Sequence, residues 1–388
     1  MRTRVQCYRL LATGYRKPFK PPTPRSAMPV HFPFDPNIAG AATIPARLYT
    51  DPVYLELERD RIFARTWQLV GRSDQVAEQG QFFTTDVAGE SIVVLRDGGA
   101  LRGFHNVCLH RAGPVAYGCG KRQTLQCKYH GWTYNLKGEL LKAPEMEGVD
   151  RFHPEDMHLQ PVQVAQWGAL VFVNVDPKAP PLADFLEDIP QRAERFHAER
   201  MRWVMRKDWE LNCNWKVYVD NYLEGYHLPV VHPGLHKELD YDQYRVEPHR
   251  YYSLQHAPLR PVPPHLAAER NYVPTTPEDV AQYYWLFPNM MLNVYMGQMQ
   301  TNVVLPLGTE RTLVIFEWYA TNPPADPATD PAWSKLIGFS DEIQAEDIEI
   351  CEAVQKNLHS RVYDRGRYSV KRENGVHHFH SLLHEFMT

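Results

Sequence analysis

The pattern of apolar and polar positions divides the chain near residue 177. Asp51-Pro52 followed by YLELERDRIFARTW predicts a helix with Asp51 as N-cap and Pro52 at its first position, where a missing N–H costs nothing. Short strand-like runs follow at 82–87, 91–96 and 168–175, separated by Gly- and Asp-containing turns, and predict a small all-β unit. PKAPPLADF at 177–185 holds no periodic element and reads as a linker. Past it the pattern is mixed: helical near 215–228 and 338–358, strand-like at 299–306 and 311–320. No internal repeat is visible. The expected fold class is α+β with two domains.

Composition narrows the class. With 388 residues, 44% apolar and only 23% charged, the chain has enough material for two cores and is not a disordered polymer. The net charge of −4 is uneven: residues 1–34 hold seven Lys/Arg and no acid, which leaves −11 on residues 35–388. A body that acidic is a poor phosphate-backbone binder, so no nucleic-acid partner is expected. The uncharged stretch 280–308 has the length of a membrane span, but Pro288, Asn289, Asn293, Gln298, Gln300 and Asn302 interrupt it. No membrane partner is expected either.

The Pro-rich, basic N-terminus, residues 1–43, is expected to be disordered. Residues 1–27 fit either an organelle transit peptide or an upstream extension with Met28 as the working start. Six cysteines, at 7, 108, 119, 127, 213 and 351, are too sparse for a secreted disulfide scaffold and suit a reducing compartment. The expected location is the cytoplasm, or an organelle matrix or stroma if 1–27 is a transit peptide.

Cys108-Leu109-His110 and Cys127-Lys128-Tyr129-His130 form C-x-H-(x16)-C-x-x-H. Two thiolates on one iron and two imidazoles on the other would hold a [2Fe-2S] cluster with a raised potential, suited to electron transfer. A zinc ion also accepts two Cys and two His. Cys119, between the pairs, reads as structural. A second constellation lies in NWKVYVDNYLEGYHLPVVHP, where Glu224 precedes His227 by three and His232 follows by five. Glu224 and His227 share a helical face, and a break at Pro229 would swing His232 to the same point. Non-haem iron(II) sites use two His and one carboxylate, leaving positions open for dioxygen and substrate. Asp347 in AEDIEICEAVQKNL is the best-placed carboxylate, although sequence order alone does not choose it; Glu346 and Glu349 can be solvated, and Glu346 is the next candidate. Asp220 and Asn221 are candidates to support the ligands.

The flanking HRAG and HGWTY resemble Rieske oxygenase domains. Together with the second segment, they identify the chain as similar to the catalytic (alpha) subunits of Rieske non-haem iron oxygenases over nearly all of residues 44–388. The resemblance implies an all-β Rieske [2Fe-2S] domain over 65–178. It also implies a catalytic domain over 44–64 and 179–388 with an antiparallel sheet flanked by helices. ED-x4-E-x2-Q at Glu346, Asp347, Glu352 and Gln355 matches the part that supplies the iron carboxylate. By that match His227, His232 and Asp347 are the mononuclear iron(II) ligands, and Glu224 bridges the iron site and a neighbouring subunit's cluster in a homotrimer.

Within the family the chain is most similar to choline monooxygenase and related betaine-oxidising enzymes, through DNYLEGYHLPVVHP, LFPNMMLN and QTNVVLPLG. The implied activity inserts one oxygen atom from O2 into a C–H bond of a small quaternary ammonium compound. Such a cation is attracted to ring faces, and Tyr283, Tyr284, Trp285, Phe287 and Tyr295 are candidates for a cage. No G-x-G-x-x-G signature is present, so a separate reductase or ferredoxin must deliver electrons from NAD(P)H. Hydroxylation or demethylation of an aromatic compound, and a plain Rieske electron carrier, are the rival readings. The run HHFH at 377–380 resembles a metal tail by composition but is expected to be structural.

Overall fold

The computed structural model describes residues 31–263, 265–266, 270–272 and 280–388. Among these, one compact unit comprises Phe63–Asp184 and another comprises residues 31–62 with Phe185–Thr388. The basic segment 1–27 and its candidate targeting role lie outside the described residues.

In the first unit strands alternate with tight turns. They are β1 (Gln68–Arg72), β2 (Gln81–Val87), β3 (Glu90–Asp97), β4 (Ala100–His105), β5 (Cys119–Lys121), β6 (Leu125–Gln126), β7 (Thr133–Tyr134), β8 (Leu140–Lys142), β9 (Pro161–Trp167) and β10 (Leu170–Asn174). A seven-stranded sheet has the order β1-β10-β9-β4-β3-β2-β5, and β6-β7-β8 form a second sheet. The β2–β3 hairpin turns on Ala88 and Gly89, both at positive φ, as a two-residue turn with the strands' own twist requires. Strand β3 explains why the unit has two cores. Val93 and Leu95 face a cluster that contains Cys108 and Cys127, whereas Ile92 and Val94 face Val76, Phe83 and Val171 on the other side.

The second unit is built on a sheet of β11 (Arg202–Leu211), β12 (Arg245–Pro248), β13 (Tyr252–Pro258), β14 (Val280–Leu286), β15 (Met290–Tyr295), β16 (Gln298–Gly308) and β17 (Arg311–Ala320). Its order is β11-β17-β16-β15-β14-β13-β12, antiparallel throughout. The uncharged stretch 280–308 is thus three neighbouring strands. No helix among the described residues is long and apolar enough to cross a membrane.

The helices are α1 (Arg47–Thr50), α2 (Pro52–Glu58), α3 (Leu182–Leu186), α4 (Ile189–Glu194), α5 (Trp215–Tyr222), α6 (Leu228–Val231), α7 (Pro233–Glu238), α8 (Pro331–Asn357) and α9 (Asn374–Met387). Asp51 caps α2 by accepting from the Val53 N–H, as the sequence predicts, and Asn214 caps α5 through the Lys216 N–H. A stripe on α8 at spacings of three and four, Gln344, Asp347, Cys351 and Gln355, faces α5. Tyr218 Oη donates to Gln344 Oε1 at 2.6 Å, and the Asn214 N–H donates to Gln355 Oε1 at 2.8 Å. Glu352 accepts from the Asn212 N–H at 2.8 Å. The two helices are therefore fixed in register along their length.

Three expectations need correction. Residues 31–43 are ordered: Phe32 is fully buried and Ala42 bridges to Arg367, because apolar side chains in this stretch find α9 and the chain beside it. The stretch 177–185 is not structureless, since Leu182 to Leu186 form α3 with Leu182 and Phe185 buried. The helix expected over 215–228 stops at Tyr222, and Pro229 sits in the first turn of the new helix α6 instead of breaking an old one.

One buried pair ties α2 to α5. Lys216 Nζ lies 2.5 Å from Glu58 Oε1, both side chains are fully buried, and Trp215 Nε1 donates to Glu58 Oε2 at 2.7 Å. Burial pushes the Glu58 carboxyl up and the Lys216 ammonium down, and each is drawn back by the other's charge. Lys216→Met should cost about 3–5 kcal/mol of stability, because it strands a buried carboxylate. Adding Glu58→Gln should restore part of that loss, since a carboxamide still accepts from Trp215. Denaturant unfolding of both variants measures it.

Candidate metal centres

Two loops of the first unit present the C-x-H and C-x-x-H residues, and they share one local design. The Cys108 N–H donates to Gly113 O and the Ala112 N–H to Cys108 O. The Cys127 N–H donates to Trp132 O and the Gly131 N–H to Cys127 O, the same offsets of five and four. Ala112 and Gly131 both take positive φ to close the turn. Each cysteine is thereby held inside, 1% and 3% exposed, while the imidazoles sit nearer the surface. The His110 and His130 rings are 4.4 Å apart, and His110 stacks on Trp132 at 5.0 Å.

The surroundings fit an iron–sulfur group. His110 Nδ1 is buried with no hydrogen-bond partner, an unmet lone pair or proton of the kind that ligation removes. A Cβ on Gly113 would stand 2.8 Å from Cys127 Sγ, so only glycine leaves that sulfur room. Tyr134 Oη lies 3.4 Å from Cys108 Sγ and accepts from the Leu109 N–H at 3.1 Å, placing a donor beside one sulfur. Burial pushes the Cys108 thiol up, which a bound metal cation would reverse. Cys119 belongs to the other core of the unit, apart from this set.

The second constellation lies in the other unit. His227 caps the start of α6 and His232 its end, so one helical turn separates them; their rings are 5.0 Å apart at 76°. Asp347 arrives from α8, and one donor atom from each of His227, His232 and Asp347 lies within 4.8 Å of the others. His232 Nε2 and Asp347 Oδ1 are 3.0 Å apart. Two donors about 2.1 Å from one ion at a right angle have that separation.

Carboxylates orient both imidazoles from behind. His227 Nδ1 is 2.6 Å from Glu224 Oε1, and His232 Nδ1 is 2.6 Å from Glu346 Oε2. Such partners fix the ring and the tautomer, and leave Nε2 for a metal. Glu346, the next carboxylate candidate in the sequence, is partly exposed and partners a histidine 2% exposed. Burial lowers the basicity of His232, but Asp347 and Glu346 together outweigh it and raise the pKa above the usual imidazole range. A cation at this point would compete with a proton for the same nitrogen. Asn221 Nδ2 donates to Asp347 Oδ1 at 2.6 Å. Asp220 does not reach the site: it accepts from Tyr49 Oη at 2.6 Å and pairs with His380 at 3.0 Å.

A cavity opens over the three candidate ligands. Of the five aromatic residues singled out, Tyr283 and Tyr295 line it, joined by Tyr272, which no periodic pattern had marked. Tyr284, Trp285 and Phe287 belong to the core: Trp285 packs on Phe379 of α9 at 5.2 Å and Phe287 on Phe386 at 4.8 Å. Carboxamides of Asn293, Gln300 and Asn302 complete the polar wall, and no Lys or Arg lines the cavity among the described residues. The HHFH run scatters to separate partners: His377 to Asp35 O, His378 to Ser253, and His380 to Tyr368 and Asp220. These contacts are structural, as the sequence suggests.

Gly113→Ala should keep the fold and lose the cluster from most molecules, because the methyl group occupies space beside Cys127 Sγ. Visible absorption of the purified variant, set against its thermal unfolding, checks both halves.

The model of the Rieske [2Fe-2S] domain matches residues 66–153, and that of the ring hydroxylating alpha subunit (catalytic domain) matches residues 191–388. The chain is 37% identical over 369 residues to a chloroplastic choline monooxygenase of Arabidopsis thaliana, covering 90% of this chain and 85% of that one. It is 33% identical over 375 residues to the carnitine monooxygenase oxygenase subunit of Escherichia coli (strain K12), covering 93% and 97%. A solved quaternary ammonium Rieske monooxygenase superposes with a TM-score of 0.82 at 29% identity, covering 93% of this chain and all of that one. Naphthalene 1,2-dioxygenase from Rhodococcus sp., at 19% identity and a TM-score of 0.66, shares the fold. A plain electron carrier has no use for the catalytic domain, and a zinc knuckle none for the Rieske frame; the chain belongs to the Rieske non-haem iron oxygenases, with a [2Fe-2S] domain and an iron-dependent monooxygenase domain.

Proposed function

We propose that this chain is the oxygenase component of a quaternary ammonium monooxygenase, acting on a C–H bond of a choline- or betaine-like substrate. The observation that carries the reading is the cavity: six tyrosines, Tyr272, Tyr283 and Tyr295 among them, and no Lys or Arg among the described residues, opening on His227, His232 and Asp347. A quaternary nitrogen offers no N–H to a hydrogen-bond acceptor and is held by ring faces and nearby negative charge. Burial pushes the phenols of Tyr272, Tyr283 and Tyr295 up, so they remain neutral and face a substrate as rings and hydroxyls. The carboxamide wall would orient the uncharged polar end.

Cys108, His110, Cys127 and His130 are assigned to the [2Fe-2S] cluster, and His227, His232 and Asp347 to the mononuclear iron(II). When bound, these groups supply electrons and activate dioxygen. The chain's own residues position the rest. Glu224 and Glu346 lock the two imidazoles, Asn221 holds Asp347, and the cavity sets the C–H bond facing the ligands. The overall reaction takes substrate, O2, two electrons and two protons to hydroxylated substrate and water. The electrons come from NAD(P)H through a separate reductase or ferredoxin. In this reading Glu224 is the acid that links the site to a neighbouring subunit's cluster in a homotrimer.

The test is a substrate panel with an electron donor, read as oxygen uptake coupled to product. Choline, carnitine and glycine betaine should include a turned-over substrate, and naphthalene should not be one. Oxidation of aromatic compounds alone would overturn the reading. His232→Ala or Asp347→Ala should abolish product while leaving the cluster absorption intact; a fully active Asp347 variant would move the carboxylate ligand elsewhere. Glu224→Gln should slow turnover on the order of 10–100-fold with both centres filled, as iron analysis and single-turnover kinetics would register.

A further inference from the structure

Glu238, at the end of α7, is 3% exposed and commits its whole carboxylate to one short stretch of chain. Oε2 accepts from Arg270 Nε at 2.9 Å and from the Tyr272 N–H at 3.3 Å. Oε1 accepts from the Asn271 N–H at 3.2 Å and from Asn271 Nδ2 at 3.4 Å. Arg270 Nη2 donates onward to Lys237 O at 2.6 Å, and Lys335 Nζ of α8 donates to Arg270 O at 2.6 Å. Residues 270–272 belong to no helix or strand, so their N–H groups have no ladder to join. A buried carboxylate is costly unless fully partnered, and among the described residues its partners all come from this stretch.

What the stretch delivers is a ring. Tyr272 stacks face to face on Tyr295, with centroids 4.4 Å apart at 9°, and is wedged from the side by Phe339 at 5.9 Å and 67°. Tyr295 meets Tyr283 almost at a right angle, 6.1 Å and 80°, and donates its hydroxyl to that of Tyr283 at 2.9 Å. All three line the cavity over the candidate iron ligands. Two ring faces meeting at a corner suit a compact cation, and the corner keeps its angle only while Tyr272 backs Tyr295.

We propose that Glu238 is a positioning residue for recognition of the substrate's cationic head: through Arg270 and the N–H groups of Asn271 and Tyr272, it sets the ring that backs the Tyr283–Tyr295 corner. The proposal rests on the quaternary ammonium reading above. Glutamine in this position offers an NH2 where Arg270 and the Tyr272 N–H already donate, so it keeps the size and breaks the clamp.

The experiment compares binding of choline and of its uncharged carbon analogue, 3,3-dimethylbutan-1-ol, to the metal-loaded enzyme. Wild type should prefer choline. Glu238→Gln should cut that preference about fivefold, the scale of a partly lost cation–ring contact, and should raise KM for choline more than it lowers kcat. Tyr272→Ala should cut the preference similarly, and the double variant no further, because both act on one element. Additive losses, or an unchanged preference in Glu238→Gln beside a reduced one in Tyr272→Ala, would overturn the proposal. Wild type that binds both compounds equally would refute the cation reading itself, and this proposal with it. Glu238→Asp, which keeps the charge and shortens the reach, stands in if the glutamine variant does not fold. Failure of both to fold with metal bound would make Glu238 a folding residue and equally defeat the proposal.

Discussion

The catalytic unit depends on the register between two helices, α5 and α8, whose facing residues are joined by hydrogen bonds at three levels. Gln355 receives the Asn214 N–H, Gln344 receives Tyr218 Oη, and Asp347 Oδ1 accepts from Asn221 Nδ2. These three contacts leave Asp347 no freedom to slide, because a shift of one residue would turn it by about 100° away from His232. The carboxylate is thus aimed by side chains that never touch a metal. That explains why Glu352 and Gln355 accompany Glu346 and Asp347 in the same stretch: they anchor the start of α5 and set the height at which the acid emerges.

The same arrangement concentrates negative charge in one place. Glu224, Glu346 and Asp347 surround two imidazoles in a partly buried site, and the described cavity wall contributes no Lys or Arg. Such a site is destabilised by its own repulsion unless protons or cations occupy it. Its field favours a metal ion at the imidazoles and a cationic head among the rings, two demands met by one charge distribution. In the Rieske unit the logic is reversed: thiols are buried and imidazoles face outward, so the cysteine pair is shielded and the histidine pair sits where another group can approach.

Much of this was legible in the sequence, for physical reasons. The α+β class followed from period-two runs before residue 177 and mixed periods after it. The loop residues Cys108, His110, Cys127 and His130 announced themselves because each pair is local, so spacing carries the geometry. Asp347 lies 115 residues from His232, and only the family resemblance singled it out. The sequence did not separate the roles of Glu346 and Asp347, because adjacent helical residues point apart; His232 sits between the two acids and offers each a different nitrogen. Tyr272 gave no signal, since its position is set by Glu238 and not by a periodic element. Tyr284, Trp285 and Phe287 showed the opposite error: an aromatic run reads as a cage, yet α9 and the sheet claim those rings for the core.

Two chemically distinct iron centres on separate ligand sets within one chain should be separable by analysis. The direct measurement is iron, zinc and acid-labile sulfide per chain on protein purified without oxygen, with Mössbauer spectra resolving the iron types. Two sulfides and three irons per chain are expected, two of the irons in a cluster with unlike ligands and one a high-spin ferrous ion that a chelator removes separately. One zinc with no sulfide, or iron in a single class, would contradict this.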